Sequence, residues 1–360
     1  MAASALSHNL MVRTAATLLI ATIAGWLAAQ IGMPLAWMLG PMLVCAVLAL
    51  YSAPLYLPQG LRTPMLAIIG TMLGASFTPD LLGRVAAWPL TLGAMLLYTP
   101  VAAAAGYLVL RQRGDYDKAT AYFACLPGGL SEMIALAEAH KADMRSVAVV
   151  HSVRVLLLVL AVPFVFTLFG GVDQPDRPAP PGLADLPLGE SAVLIGCALA
   201  GWWLGERLNL PARGLTGGLI VSSAAHISGI STAAPPAEIL TIALVIVGAG
   251  IGTRFVDKSL REIRDNAIDA LLIVLVMLAL AGLFALVLAP LSGVPVAVLL
   301  HAYIPGGIGE MSLLAVALGM ESAFVALHHV TRLIIVLFAT PVAYRWLGLQ
   351  RCGELTPSDE

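Results

Sequence analysis

Pro127-Gly128-Gly129-Leu130-Ser131-Glu132-Met133 returns 178 residues later as Pro305-Gly306-Gly307-Ile308-Gly309-Glu310-Met311. Downstream of each copy, at the same offset, stands His-x-x-Arg: His151 with Arg154, then His329 with Arg332. Working outward, Gly70–Pro163 lies over Gly248–Pro341 without a gap, and 25 of the 94 aligned positions are identical. The earliest segments also match, at an offset of 177, Pro34 with Pro211 and Gly40 with Gly217. Two Glu, two His and two Arg are among the repeated residues, in otherwise apolar surroundings. Duplicated helix-breaking glycines beside membrane-embedded charge are the pattern expected of a secondary transporter's substrate site.

The composition sets the solvent. Of 360 residues 59% are hydrophobic and only 11% charged, with a mean hydropathy of +0.92. A soluble domain of this make-up would have too few polar groups to face water. Apolar runs of near-spanning length fill almost the whole chain, which predicts an all-α polytopic membrane protein in contact with the lipid bilayer. The formal net charge is −2 and no basic block is present, so no nucleic acid is expected as a partner. Cys45, Cys125, Cys197 and Cys352 show neither C-x-x-C nor Cys/His metal spacing and read as buried, inert thiols. The apolar run after Arg13 reads as a first transmembrane helix rather than a cleaved signal, because Ser191–Gly205 opens the second half in the same way.

The expected organisation is a first membrane repeat over residues 1–170, an extracytoplasmic linker over 171–188, a second repeat over 189–348 and a cytoplasmic tail over 349–360. The linker carries too many Pro, Gly and Asp residues for a helix. Each repeat holds six apolar segments; if only five of them span, the repeats are inverted. Loop charge favours inversion. Arg111–Lys118 aligns with the uncharged Ala289–Val296, whereas Thr78–Ala87, with Arg84 as its only cation, aligns with a stretch holding Lys258, Arg261 and Arg264. Equivalent loops of opposite character belong on opposite sides.

The segment least able to span is the Pro-Gly-Gly one. Its two arms are each roughly 15 Å long, half of a ~30 Å hydrocarbon core, as for a hairpin that dips to mid-membrane and returns. Two such re-entrant hairpins and about ten spans place 15 of the 19 Lys and Arg on the cytoplasmic side with both termini, and only Arg84 and Arg177 outside. If all twelve segments spanned, the split would be 8 against 9, contrary to the positive-inside rule.

The candidate site consists of Gly128, Gly129, Ser131, Glu132, His151 and Arg154 with Gly306, Gly307, Glu310, His329 and Arg332. Broken backbone at membrane depth survives only inside protein or beside a water-filled cavity, and its freed N–H groups suit an anion. A carboxylate at that depth costs several kcal/mol unless it is paired, protonated or bound to a cation. Two readings of the charged residues follow. In one, Glu132–Arg154 and Glu310–Arg332 neutralise each other and pin the hairpins. In the other, Arg takes substrate charge, Glu takes a proton or Na⁺, and His exchanges protons near neutral pH. His301 and His328 have no duplicate, their counterparts being Phe123 and Val150, and stand as asymmetric adjuncts. Asp143 and Glu321 align at helix N-termini and read as caps. Asp80 and Asp269 receive no role.

The motif PGG-x-x-EM, present twice with His-x-x-Arg downstream, resembles the AbrB-type bacterial inner-membrane family built on an internal duplication. The resemblance covers essentially the whole chain and implies an inner-membrane protein. Its broader kinship is similar to the cation–proton antiporters and anion transporters, which use inverted repeats and broken helices. The family carries two labels, ammonia monooxygenase and transcriptional regulator. A DNA-binding regulator needs a basic soluble module, and the longest non-membrane stretch here is the acidic linker. A copper or iron monooxygenase needs a tight ligand cluster, and His301, His328 and His329 form no recognisable ligand motif. The reading reached is a non-enzymatic secondary transporter of a small organic anion, without cofactor beyond a coupling H⁺ or Na⁺. A homodimer built through helices outside the hairpin bundle is the expected assembly. The rivals are a membrane sensor acting on gene expression through a partner and, more weakly, a membrane monooxygenase.

Overall fold

The computed structural model describes residues 2–83, 88–113, 116–168 and 181–349. Arg84, Arg177, most of the linker and all but the first residue of the tail, with Cys352, lie outside the described residues. Fourteen α-helices follow one another among the described residues: α1 Ala2–Gln30, α2 Ala36–Leu50, α3 Gln59–Gly74, α4 Trp88–Arg113, α5 Lys118–Cys125, α6 Leu130–Ala139 and α7 Met144–Leu168, then α8 Leu188–Arg207, α9 Arg213–Ile227, α10 Ala237–Gly252, α11 Leu260–Ser292, α12 Val296–Tyr303, α13 Ile308–Ala317 and α14 Ser322–Trp346. The described residues contain no strand. Seven helices (α1, α4, α7, α8, α10 together with the 3₁₀ turn that continues it to Phe255, α11 and α14) are long and apolar enough to cross a membrane. The chain is therefore an all-helical polytopic membrane protein. Ten spans would require α2, α3 and α9 to cross as well, and their 15, 16 and 15 residues reach only about 22–24 Å.

Packing between the halves is reciprocal. Helix α3 packs on α9 as α10 packs on α2; α1 lies on α2 as α8 lies on α9; α11 meets α7 as α4 meets α14. The first of these pairs approach so closely that only glycine fits. A Cβ on Gly70 of α3 would overlap the Leu215 carbonyl oxygen, and one on Gly248 of α10 would overlap that of Met38. A turn later, Gly74 lies against Ser222 and Gly252 against Cys45, at 2.5 and 2.6 Å from such a Cβ to the neighbouring Cβ. Small residues let helix backbones touch where lipid offers no hydrophobic drive for association. Ahead of α2 and α9, Leu35 and Ala212 each follow a proline and each adopt a left-handed backbone, with φ of 51° and 49°. Thr63 near the start of α3 and Arg254 just past the end of α10 border one cavity, so these two corresponding helices meet head to tail.

The two Pro-Gly-Gly motifs separate α5 from α6 and α12 from α13. The residue before a proline is forced out of the helical region by the pyrrolidine ring, and Leu126 (φ −59°, ψ 136°) and Ile304 (φ −56°, ψ 126°) comply. After the break the chain folds back. The Asp143 amide, beyond α6, donates to Thr120 Oγ1 near the start of α5 at 2.9 Å, and the rings of Phe123 and His140 lie 5.2 Å apart. In the second pair His301 Nε2 on α12 lies 2.8 Å from the Met311 carbonyl on α13. Each pair is embedded in its own apolar cluster, one containing Phe123, Cys125, Met133 and Val147, the other Leu299, Tyr303, Met311 and Phe324.

Candidate functional site

Ending a helix inside an apolar interior leaves its last carbonyls without partners. Arg154 and Arg332, each projecting from the long helix after its broken pair, supply the donors. The Arg154 guanidinium donates through Nη1 to Leu126 O (2.9 Å) and through Nη2 to Gly128 O (3.4 Å). Arg332 repeats this with Ile304 O (2.9 Å) and Gly306 O (2.8 Å). Both arginines are buried, at 1% and 2% exposure. The Glu132–Arg154 and Glu310–Arg332 pairs considered from the sequence do not form among the described residues. The planar fork of N–H groups is taken by the carbonyls that the break releases, so these arginines belong to the backbone of the break.

His151 completes the first arrangement. Arg154 Nη2 lies 3.0 Å from His151 Nδ1, and His151 Nε2 lies 3.0 Å from Phe123 O. A guanidinium only donates and a carbonyl only accepts, which selects the imidazole with hydrogen on Nε2. His329 faces the equivalent carbonyl, that of His301, but neither ring nitrogen closes a well-formed hydrogen bond. His301 donates from Nε2 to Met311 O, and His328 lies between Phe324 O (2.8 Å) and Thr91 Oγ1 (2.9 Å).

The spacing inside the motif now has a physical reason. Gly129 and Gly307 cap α6 and α13 with extended backbones (φ −71° and −69°), which residues other than glycine adopt as readily. What these positions need is room. Glu132 and Glu310, three residues into the helix, fold back so that Oε2 occupies the space a Cβ on Gly129 or Gly307 would take. Met133 and Met311 fold back in the same way against Gly128 and Gly306. Each Pro-Gly-Gly therefore seats the carboxylate and the thioether that follow it.

Both motif copies line one cavity of about 180 Å³. Gly128, Gly129, Ser131, Glu132 and His151 border it from the first half and Gly306, Gly307, Glu310 and Arg332 from the second, whereas Arg154 and His329 do not line it. The N-termini of α6 and α13 open into it, and their freed amides carry partial positive charge. Arg254 was missed as a site residue. Counted from the sequence only among the 15 cytoplasmic Lys and Arg, it reaches the cavity and donates from Nη2 to Glu310 Oε1 at 3.0 Å, with both side chains nearly buried (11% and 7% exposed). Its signal was present in the alignment, which sets this arginine opposite Ser76. Thr63, Ala212 and Leu215 complete that side and carried no signal.

Of the two expected caps, Asp143 behaves as one, accepting from the Arg145 amide and the Ser146 hydroxyl. Burial alone would raise its carboxyl, but Ser146 and Arg145 outweigh that and hold it below the ordinary aspartate range. Glu321 precedes α14 without a side-chain cap. Asp269, given no role from sequence, accepts from Arg113 and Tyr116 at the end of the bundle near Asp143.

Comparison with known proteins agrees in extent with this whole-chain architecture. The family model described as transition state regulatory protein AbrB matches residues 37–348. The chain is 26% identical over 353 residues to the uncharacterized protein YhjN of Bacillus subtilis (strain 168), covering 91% of each chain. It is 26% identical over 332 residues to a putative regulator AbrB of Escherichia coli (strain K12), covering 90% of this chain and 92% of that one.

Proposed function

The chain belongs to the AbrB family, and we propose that it is a secondary active transporter that moves a small organic anion across the inner membrane, coupled to H⁺ or Na⁺. One observation carries the reading: two motifs 178 residues apart in sequence converge on a single cavity. Two helix N-termini give that cavity positive potential for an anion, and its carboxylates offer a place for a coupling cation. Dimensions suit a small solute rather than a polymer or a large lipid.

Alternating access requires two halves that can exchange roles, and we propose two inverted-topology repeats with two re-entrant hairpins. Reciprocal packing of α3 on α9 and α10 on α2, the head-to-tail meeting of α3 with α10, and the return of α6 to the start of α5 support this arrangement. Thr63 and Ala212, which border the cavity, are chain neighbours of Arg62 and Arg213. The positive-inside rule then makes this the cytoplasmic mouth and the conformation inward-facing. Single cysteines at 83 and 292 are expected to react with an impermeant thiol reagent from outside, and those at 113 and 260 only from inside. Labelling of 83 and 260 from the same side would sink the inverted arrangement.

The function is tested by thermal-shift titration of small mono-, di- and tricarboxylates against the purified protein, with Na⁺ and pH varied, followed by uptake of each stabilising compound into proteoliposomes. At least one is expected to raise the melting temperature by several degrees and to accumulate against its gradient. No stabilisation by any carboxylate together with no uptake would overturn the anion reading. The name of the Escherichia coli relative favours the sensor alternative. Altered transcription in a deletion strain with uptake unchanged would select it.

A further inference from the structure

The two motif copies match in sequence but not in what surrounds their carboxylates. Glu310 is 6% exposed and bound by Arg254. Glu132 is half-buried at the cavity wall and has no ion pair or hydrogen bond among the described residues. The position equivalent to Arg254 is Ser76, whose hydroxyl lies 2.8 Å from that of Ser322. The difference is covalent: when the halves exchange roles, no arginine arrives at Glu132. A second difference points the same way. Ser131, the chain neighbour of Glu132 and a lining residue of the cavity, corresponds to Gly309, so only the first copy carries a hydroxyl residue directly before its glutamate.

Taking the transport reading of the cavity as given, we infer that the copies divide the work: Glu132, with Ser131, carries the coupling monovalent cation, and Glu310 is the fixed counter-charge of Arg254. Among the described residues the other charged and titratable groups at the cavity are His151 on α7, Arg254 after α10, Glu310 on α13 and Arg332 on α14. None of them neutralises Glu132. The Arg332 guanidinium is held by Ile304 and Gly306, that of Arg254 reaches Glu310, and His151 is engaged by Arg154 and Phe123. A carboxylate at this depth requires a positive partner. Among the described residues the only positive charge set against Glu132 is the partial charge of the α6 N-terminus, so a full counter-charge is left to an exchangeable partner, and a carboxylate with a serine as its chain neighbour suits a hard cation or a proton.

The experiment compares melting temperatures of purified wild type, Glu132→Gln, Ser131→Gly and Glu310→Gln in NaCl against N-methylglucamine chloride at matched ionic strength, and between neutral and mildly acid pH. Wild type is expected to respond to Na⁺ by several degrees or, if the cation is H⁺, to pH alone. Glu132→Gln abolishes that response, Ser131→Gly weakens the Na⁺ arm, and Glu310→Gln melts lower throughout but keeps the response. Glu310→Asp, which retains the charge, replaces Glu310→Gln should the latter not fold. A response kept in Glu132→Gln, lost equally in both glutamate variants, or absent from wild type overturns the division. The two ideas fail separately. Carboxylate uptake with a cation response that survives Glu132→Gln removes the division and leaves transport standing. A cation response that depends on Glu132, without uptake of any carboxylate, does the reverse.

Discussion

Arg332→Gln and Arg154→Gln are expected to lose most of the folded protein recovered from membranes. Each guanidinium reaches two carbonyls that the Pro-Gly-Gly break strips of helical partners, and each is almost fully buried. A buried acceptor left unpaired costs about 1–3 kcal/mol, and each substitution strands two of them. Glutamine has a shorter stem and a single amide, and cannot span both carbonyls. Lysine keeps the charge but offers one ammonium point in place of a planar fork, so Arg332→Lys is expected to fall between wild type and glutamine. Arg154→Gln further releases His151 Nδ1. The informative measurement is the double variant Glu132→Gln with Arg154→Gln. Residues that are not partners contribute additively within about 0.3–0.5 kcal/mol. The double is therefore expected to be as poorly folded as Arg154→Gln alone, by yield of monodisperse protein and by melting temperature. Recovery to wild-type stability would show that Glu132 and Arg154 neutralise each other after all.

Alanine at glycine is expected to split into two outcomes according to what the new methyl meets. At Gly70 and Gly248 it meets the backbone carbonyls of Leu215 and Met38 on the facing helix. Backbone held in a helix cannot step aside, so α3 must separate from α9, or α10 from α2, and packing is lost along the whole contact. Overpacking of this kind costs about 1–3 kcal/mol where side chains can adjust, and more where they cannot. Both variants should melt well below wild type. At Gly129 and Gly307 the methyl meets only the carboxylate end of Glu132 or Glu310. The side chain can rotate away, so both variants should insert; Gly129→Ala should melt within a few degrees of wild type and Gly307→Ala lower, because Glu310 then leaves Arg254, and both should lose transport because the carboxylate has left its seat. Full transport in Gly129→Ala and Gly307→Ala would detach the carboxylate position from function, and wild-type melting of Gly70→Ala would contradict the helix contact.

Much of this was readable in the chain because its causes are local. Composition selects a membrane, and Pro127 and Pro305 end a helix by chemistry acting on the next residue back. Repetition at a fixed offset marks both broken pairs and the histidines and arginines that follow. The duplication singles out Gly129 and Gly307, which keep ordinary backbone angles and make room for a glutamate. The seat itself is local too, since Glu132 stands only three residues from Gly129.

Which partner a long buried side chain takes was decided by the tertiary structure alone. Arg154 lies 28 residues from the carbonyl of Leu126, and Arg254 lies 56 residues from Glu310. Charge and burial state that each needs a partner, and Glu132 was as good a sequence-level choice for Arg154 as any. The folded chain assigns Arg154 to carbonyls and Glu310 to Arg254, because the break presents bare acceptors beside α7 while the end of α10 arrives beside α13. Polar groups in an apolar interior bind whatever the packing of helices brings within about 3 Å. That packing rests on contacts such as Gly70 with Leu215, whose partners stand far apart in the sequence and meet only after folding.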